Sequence, residues 1–198
     1  MRTITVTNEN LKNVIAETAD ALRAGAIVAI PTETVYGLAA HPDCPEAVAR
    51  LSSVKGRPGN KPIALLAADL SAAIAFGAKF DPISQKIAQA FWPGALTIVL
   101  PCGEKDEGFR IPNHPLCRDL LVACGGILRV TSANLSGAQA AINAAQIIDN
   151  RELDVDIVLD NGANADGKAS TVIRVANGLP EILRPGAVDA ESITAAAQ

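Results

Sequence analysis

The chain predicts an α/β (α+β) fold, a mixed β-sheet with helices on its faces. Three observations lead there. Short apolar runs bounded by turn residues alternate with longer stretches of helical period. Ala26 to Ile30 is apolar without interruption, the pattern of a central strand covered on both faces. Asn177-Gly178 sits between two extended runs, a hairpin signal that places antiparallel neighbours in the sheet. The 198 residues fit a single domain over 1–198, with a core at about 4–188 and an Ala-rich tail over 189–198. A 49% hydrophobic content and a mean hydropathy of +0.24 suffice for a proper core.

Taken in order, Thr3 to Thr7 alternates as a half-buried strand, and Asn8 is placed to cap a helix whose apolar stripe is Leu11, Val14, Ile15, Ala19 and Leu22. Gly25 stops it after Ala24. Tyr36 to Ala40 extends again after a hydroxyl-rich turn, and Pro45 opens the next helix. Lys55 to Pro62 cannot be regular, with Gly56, Pro58, Gly59 and Pro62 in eight positions. Ile63 to Ala67 is a strand. Asp69 and Asp81 cap two helices, the second with Pro82 at its first position and ending at Trp92-Pro93-Gly94. Ala95 to Leu100 is a strand, Cys102 to Gly108 a polar loop, and Phe109 to Ile111 a short extended piece. Pro115 to Ala123 is helical, Ile127 to Thr131 a strand, Ile142 to Ile148 a helix and Ile157 to Asp160 a strand. Thr171 to Val175 and Glu181 to Arg184 form the closing hairpin, and the Ala-rich tail reads as a last helix or a frayed end.

Composition excludes several classes of function. A net charge of −4, a pI near 5.2 and 3% aromatic residues oppose a generally basic nucleic-acid coat or an aromatic surface for single strands. The cysteines, Cys44, Cys102, Cys117 and Cys124, lack any C-x-x-C spacing, so neither zinc nor a disulfide framework is indicated. No apolar run approaches the roughly 18 residues of a membrane span, and MRTITVTNEN lacks the pattern of a secretory leader. A cytoplasmic protein without membrane attachment is expected. There is no P-loop, no dinucleotide fingerprint and no G-x-S-x-G elbow.

A phosphate would therefore be held by side-chain cations and hydroxyls gathered from separate loops. Ala29 to Asn60 opens with a strand that stops at Pro31, passes through Thr32 and Thr34, and ends in Lys55-Gly-Arg57-Pro-Gly59. Arg110, Ser132, Asn134, Ser170, Thr171 and Arg184 also stand where apolar strands begin or end, and ligands of open α/β sheets gather at such mouths. Each has an ordinary structural reading beside the functional one. Thr32 and Thr34 read as turn formers, Ser132 and Asn134 as a cap and Asx-turn, and Lys55 and Arg57 as a solvated loop. His41 and His114 each precede a proline and read as loop and helix-start residues before catalytic bases. Arg118 and Arg129 are assigned to exposed faces, and Trp92 to the core.

Seven blocks, Pro31-Thr-Glu-Thr-Val-Tyr-Gly-Leu38, Lys55-Gly-Arg-Pro58, Phe91-Trp-Pro-Gly-Ala-Leu-Thr97, Arg110-Ile-Pro-Asn-His-Pro115, Thr131-Ser-Ala-Asn-Leu-Ser-Gly137, Ser170-Thr-Val-Ile173 and Leu183-Arg-Pro-Gly186, together resemble the YrdC-like family of threonylcarbamoyl-adenylate synthases. The resemblance implies a twisted mixed sheet around a deep, positively charged cavity. It implies condensation of L-threonine, bicarbonate and ATP, with Mg²⁺, to threonylcarbamoyl-AMP and pyrophosphate. Partner threonylcarbamoyl-transferase proteins would then use the product to modify tRNAs reading codons that begin with adenine, and tRNA itself is a further candidate partner. By position, Thr32, Arg110 and Ser170 would bind threonine. Lys55, Arg57, Gly59, Ser132, Asn134 and Arg184 would bind ATP, with Lys55 and Arg57 catalytic and no metal ligand expected from protein side chains.

The sequence departs from the family pattern at Leu66, where many members carry a histidine, and at the acidic stretch Glu104 to Gly108. It also resembles the short form without an extra C-terminal domain. Two other readings of the resemblance are a carbamoyl-transferring relative and a non-catalytic RNA- or tRNA-binding module. If Lys55 and Arg57 neutralise the transferring phosphoryl group, replacing either with Ala cuts turnover by on the order of 10²-fold or more in a pyrophosphate-release assay.

Overall fold

A computed structural model describes residues 1–54, 63–150, 152–162 and 167–198. The first half runs β1 (Arg2–Thr5), α1 (Leu11–Arg23), β2 (Val28–Ile30), β3 (Gly37–Ala40), α2 (Pro45–Val54), β4 (Ala64–Ala67), α3 (Leu70–Phe76) and α4 (Pro82–Phe91). Next come β5 (Leu96–Cys102), β6 (Lys105–Arg110), α5 (Pro115–Ala123), β7 (Ile127–Ser132) and α6 (Ala144–Asp149). The chain closes with β8 (Ile157–Asp160), β9 (Thr171–Ala176), β10 (Leu179–Arg184) and α7 (Ala190–Ala196). Among the described residues the strands form one sheet in the order β1-β8-β2-β3-β7-β4-β6-β5-β9-β10. It is mixed, as the hairpin signal required: β2 runs parallel to β8 but antiparallel to β3, and β5 parallel to β9 but antiparallel to β6.

The uninterrupted apolar run of β2 is buried on both faces because alternate side chains feed different cores. Val28 and Ile30 pack with α1 and α5 through Leu22, Leu116 and Leu120. Ile27 and Ala29 pack with Tyr36, Leu38, Leu51 of α2 and Ile147 of α6. In the other half of the sheet, Leu65, Ile98, Phe109 and Ile173 point into a third core under α4 and α7, joined by Ile87 and Ile193. The last helix therefore contributes a wholly buried side chain from within the expected tail.

Local chemistry places most ends as expected. Asp69 accepts a hydrogen bond from the amide of Ala72, and Asp81 from those of Ile83 and Ser84. Asn177 and Gly178 have φ of 52° and 75°, the paired positive values of a type I′ turn. The cap of α1 is Asn10 and not Asn8; the Asn10 side chain is spent on Thr7 and Thr5 in the approach to the helix. Cys102 to Gly108 is not a loop. A tight turn at Gly103-Glu104 lets Lys105–Arg110 return as β6, and alternation of Lys105, Glu107 and Phe109 with their neighbours supports the strand despite its charge. Arg129 is half-buried rather than exposed, because Glu107 on β6 meets it bidentately at 2.7 and 2.8 Å.

His114 caps α5, its Nδ1 accepting from the Cys117 amide at 3.4 Å. Burial lowers its pKa, with the Glu33 carboxylate opposing in part. A histidine whose folded pKa lies below its unfolded value of roughly 6.5 stabilises the fold fully above that pH and loses the contribution as pH falls. Stability therefore falls in urea titrations between pH 7 and 5, and His114→Asn, which can still cap, flattens that slope. Asp81→Ala lowers stability by about 1 kcal/mol in the same assay.

Candidate functional site

Strand alternation leaves one face of β4, β6, β5 and β9 for something other than the core. Thr97 and Val99, Gly108 and Arg110, Ala64 and Leu66, and Val172 all point away from the third core and floor a cavity of about 330 Å³. Its walls are the β2–β3 turn with Thr32 and Thr34, the end of β7 with Thr131 and Ser132, and Ser170 with Leu183 and Arg184. Glycine keeps the floor low. A Cβ on Gly37 would lie 2.5 Å from Val130 Cγ1, and one on Gly108 would lie 3.2 Å from Thr97 Cγ2.

The Thr32 side chain organises the first wall. Its Oγ1 accepts from the amides of Thr34 and Val35 at 3.2 and 3.3 Å, donates to the Val35 carbonyl at 2.7 Å, and lies 3.0 Å from Thr34 Oγ1. This is the hydroxyl-backed turn that Ser and Thr build best. Tyr36, wholly buried, donates from its hydroxyl to the Leu159 carbonyl at 3.1 Å and ties the turn to the end of β8.

Arg110 is only 6% exposed, yet it lines the cavity. Its Nε donates to the Gly94 carbonyl at 3.0 Å, and its Nη2 lies 2.7 Å from Glu33 Oε1. That ion pair is close but off-axis, so neither Nη2 nor either Glu33 oxygen makes a directed hydrogen bond. Gly94 is held in turn by its own amide on the Ile111 carbonyl at 2.8 Å.

The third wall is a chain of hydroxyls. Thr97 Oγ1 lies 2.9 Å from Ser170 Oγ, and Arg184 Nη2 donates to the Ser170 carbonyl at 2.7 Å and to its Oγ at 3.2 Å. Leu183 and Arg184 both face the cavity although adjacent strand residues normally point opposite ways. A register shift between Ile182 and Arg184 makes this geometry, since Leu183 is the extra residue of a bulge.

Thr32, Arg110, Ser132, Ser170 and Arg184, drawn from separate parts of the sequence, thus meet around one cavity. Asn134 does not line it. Its amide donates to the Leu135 and Ala138 carbonyls, both at 2.8 Å, and accepts from Ser132 Oγ at 2.6 Å, so its polar atoms are spent on the loop. It borders a separate hollow of about 120 Å³. Lys55, Arg57 and Gly59 lie outside the described residues. The sequence reading put the site at strand ends, whereas its floor is a strand face; Thr97, the one polar position in Leu96-Thr-Ile-Val-Leu100, marks that face and was passed over. Glu33 was also missed, and an acid between two turn-forming threonines was its only signal. His41 bonds the Cys124 carbonyl at 3.2 Å and, like His114, lies away from the cavity.

The profile of the Sua5/YciO/YrdC family, described as telomere recombination, matches residues 20–186. The chain belongs to the Sua5/YciO/YrdC family. The threonylcarbamoyl-AMP synthase of Bacillus subtilis is 34% identical over 192 residues, which are 91% of this chain and 56% of that protein. That of Bos taurus is 34% identical over 195 residues, 90% of this chain and 68% of that protein. The structure of Pyrococcus abyssi Sua5 complexed with L-threonine superposes with a TM-score of 0.89 at 30% identity, over 98% of this chain and 60% of that one. The chain thus spans little more than half the length of the Bacillus relative.

In this Sua5/YciO/YrdC member the third wall depends on close backbone packing. A Cβ on Gly186 would collide with the main chain of Ala169, Ser170 and Thr171. Ala187 donates to the Ala169 carbonyl at 2.9 Å across the same crossing. Gly186→Ala is expected to cost about 1–3 kcal/mol in thermal or urea denaturation, the range for overpacking a tight contact.

Proposed function

We propose that this protein makes threonylcarbamoyl-AMP from L-threonine, bicarbonate and ATP, releasing pyrophosphate, as the first step of N6-threonylcarbamoyladenosine formation in tRNAs reading codons that begin with adenine. What carries the reading is one cavity that gathers Arg110, Arg184 and the hydroxyls of Thr32, Ser132 and Ser170, in a chain whose relatives bear that enzyme's name. A volume of about 330 Å³ falls at the lower end of the roughly 300–1,000 Å³ of small-molecule sites.

Arg110 would pair with the threonine carboxylate through Nη1 by a charge-assisted hydrogen bond, since Nε already donates to Gly94 and Nη2 faces Glu33. Thr32 and Ser170 would border the rest of the amino acid. The amine lone pair attacks bicarbonate carbon, water leaves, and the resulting carbamate oxygen attacks the α-phosphorus in line as pyrophosphate departs. No enzyme nucleophile is needed; the protein's part is to hold carbamate and phosphorus together in a site already lined with donors. Arg184 and Ser132 would face the nucleotide, with Lys55 and Arg57 completing the phosphate contacts by family position.

Magnesium would enter on the triphosphate, where it neutralises phosphate charge. The cavity lining offers hydroxyls and guanidiniums, and among the described residues no group of three or more His, Cys, Asp or Glu gathers, so no side chain is assigned to the ion. The product would pass to threonylcarbamoyl-transferase proteins that modify tRNA, with the cytoplasm as the place of action. Among the described residues no helix is long and apolar enough to cross a membrane.

Pyrophosphate release measured with threonine and bicarbonate each omitted in turn tests the reading: release is expected only when both are present, and release from ATP alone sinks it. Arg110→Ala is expected to lower kcat/KM for threonine by about tenfold to 10²-fold, as loss of a charge-assisted hydrogen bond worth roughly 1.5–3 kcal/mol dictates. ATP affinity should change little.

A further inference from the structure

We propose that Glu33 is the positioning residue for Arg110, a carboxylate set behind the cavity wall that turns the guanidinium so that Nη1 alone is presented to a substrate carboxylate. The inference rests on the threonine-binding role proposed for Arg110 and adds a residue that acts without touching substrate.

Its basis is where each atom of the pair lies. Arg110 lines the cavity and Glu33 does not. Both Glu33 oxygens and Arg110 Nη2 are shut off from solvent, so a ligand in the cavity cannot reach the carboxylate, and a role in binding the substrate ammonium is excluded by position. Nε is taken by the Gly94 carbonyl at 3.0 Å and Nη2 stands 2.7 Å from Glu33 Oε1. Nη1 has no hydrogen-bond partner among the described residues, and it is not among the solvent-inaccessible unpaired atoms. The guanidinium is thus held along two of its three nitrogens and open along the third.

The chemistry of the turn supports the same division of labour. Thr32 Oγ1 accepts from the amides on the far side of Glu33, at Thr34 and Val35, and so fixes the backbone that carries the carboxylate. A carboxylate is the only anion beside Arg110 in the described wall, and it matches the guanidinium charge while the cavity is empty of ligand. The Nη2 contact is off-axis, so Glu33 acts on the guanidinium through charge at 2.7 Å and not through a directed hydrogen bond.

The test uses Glu33→Gln, which keeps the shape and removes the charge, with Glu33→Asp as the shorter charged variant should Gln impair folding. In Glu33→Gln the KM for threonine at saturating ATP rises at least tenfold, and the KM for ATP stays within twofold; in Glu33→Asp the threonine KM rises less. In an Arg110→Lys background Glu33→Gln changes the threonine KM by less than twofold, because there is no fork left to orient. A substrate-free readout runs beside it: the Arg110 Nε–H signal in ¹⁵N spectra, identified by its loss in Arg110→Lys, broadens or vanishes in Glu33→Gln. Equal rises in both KM values, an additive loss in the Arg110→Lys background, or an unchanged Nε–H signal overturns the role of Glu33. If the parent protein shows no threonine-dependent pyrophosphate release, the functional reading falls instead, and the Nε–H signal still decides whether Glu33 orients Arg110.

Discussion

The two-residue period of an extended strand is the constraint on which this molecule is built. Each strand of the β4-β6-β5-β9 half sends one set of side chains into the third core and the other toward the cavity, where Leu66 of β4 also packs against the first core. Leu96, Ile98 and Leu100 anchor β5 on one side, which frees Thr97 and Val99 for the other. The cavity is therefore no gap in packing. It is the uncovered face of a sheet whose opposite face supplies the folding energy, so the floor is as rigid as the core beneath it.

Charge is handled with the same economy. An arginine almost withdrawn from water is tolerable only with an acceptor or a counter-charge close by, and Arg110 has the Gly94 carbonyl as acceptor and the Glu33 carboxylate as counter-charge. Arg184 takes the Ser170 carbonyl and hydroxyl. In both cases a main-chain carbonyl shares the holding, and for Arg110 the Glu33 carboxylate supplies the balancing charge from a position outside the cavity lining.

Much of this was legible in the sequence because it depends on local chemistry. Continuous apolar runs, aspartates before helices and the Asn177-Gly178 turn each specify geometry within a few residues, and β8 falls on Ile157–Asp160 as its four-residue run suggests. The failures came where a distant partner outweighs local preference. Lys105–Arg110 looks like a charged loop until Arg129, on a strand two places away in the sheet, neutralises Glu107. Glu33 is illegible for the same reason, since its partner lies 77 positions along the chain. Asn134 is a local case: its amide is taken by carbonyls one and four residues on, as its ordinary turn-forming reading implies, and it stands apart from the cavity.

The bulge at Leu183 carries a consequence for how the closing hairpin can vary in length. Because that extra residue resets the phase between the turn at Asn177-Gly178 and Arg184, losing it, or gaining one more between turn and bulge, would send the arginine to the reverse side of the ribbon. Changes in pairs, one on each arm, would leave the phase intact. The hairpin therefore behaves as a parity counter, free to grow or shrink by even steps while the cation at its end keeps facing inward.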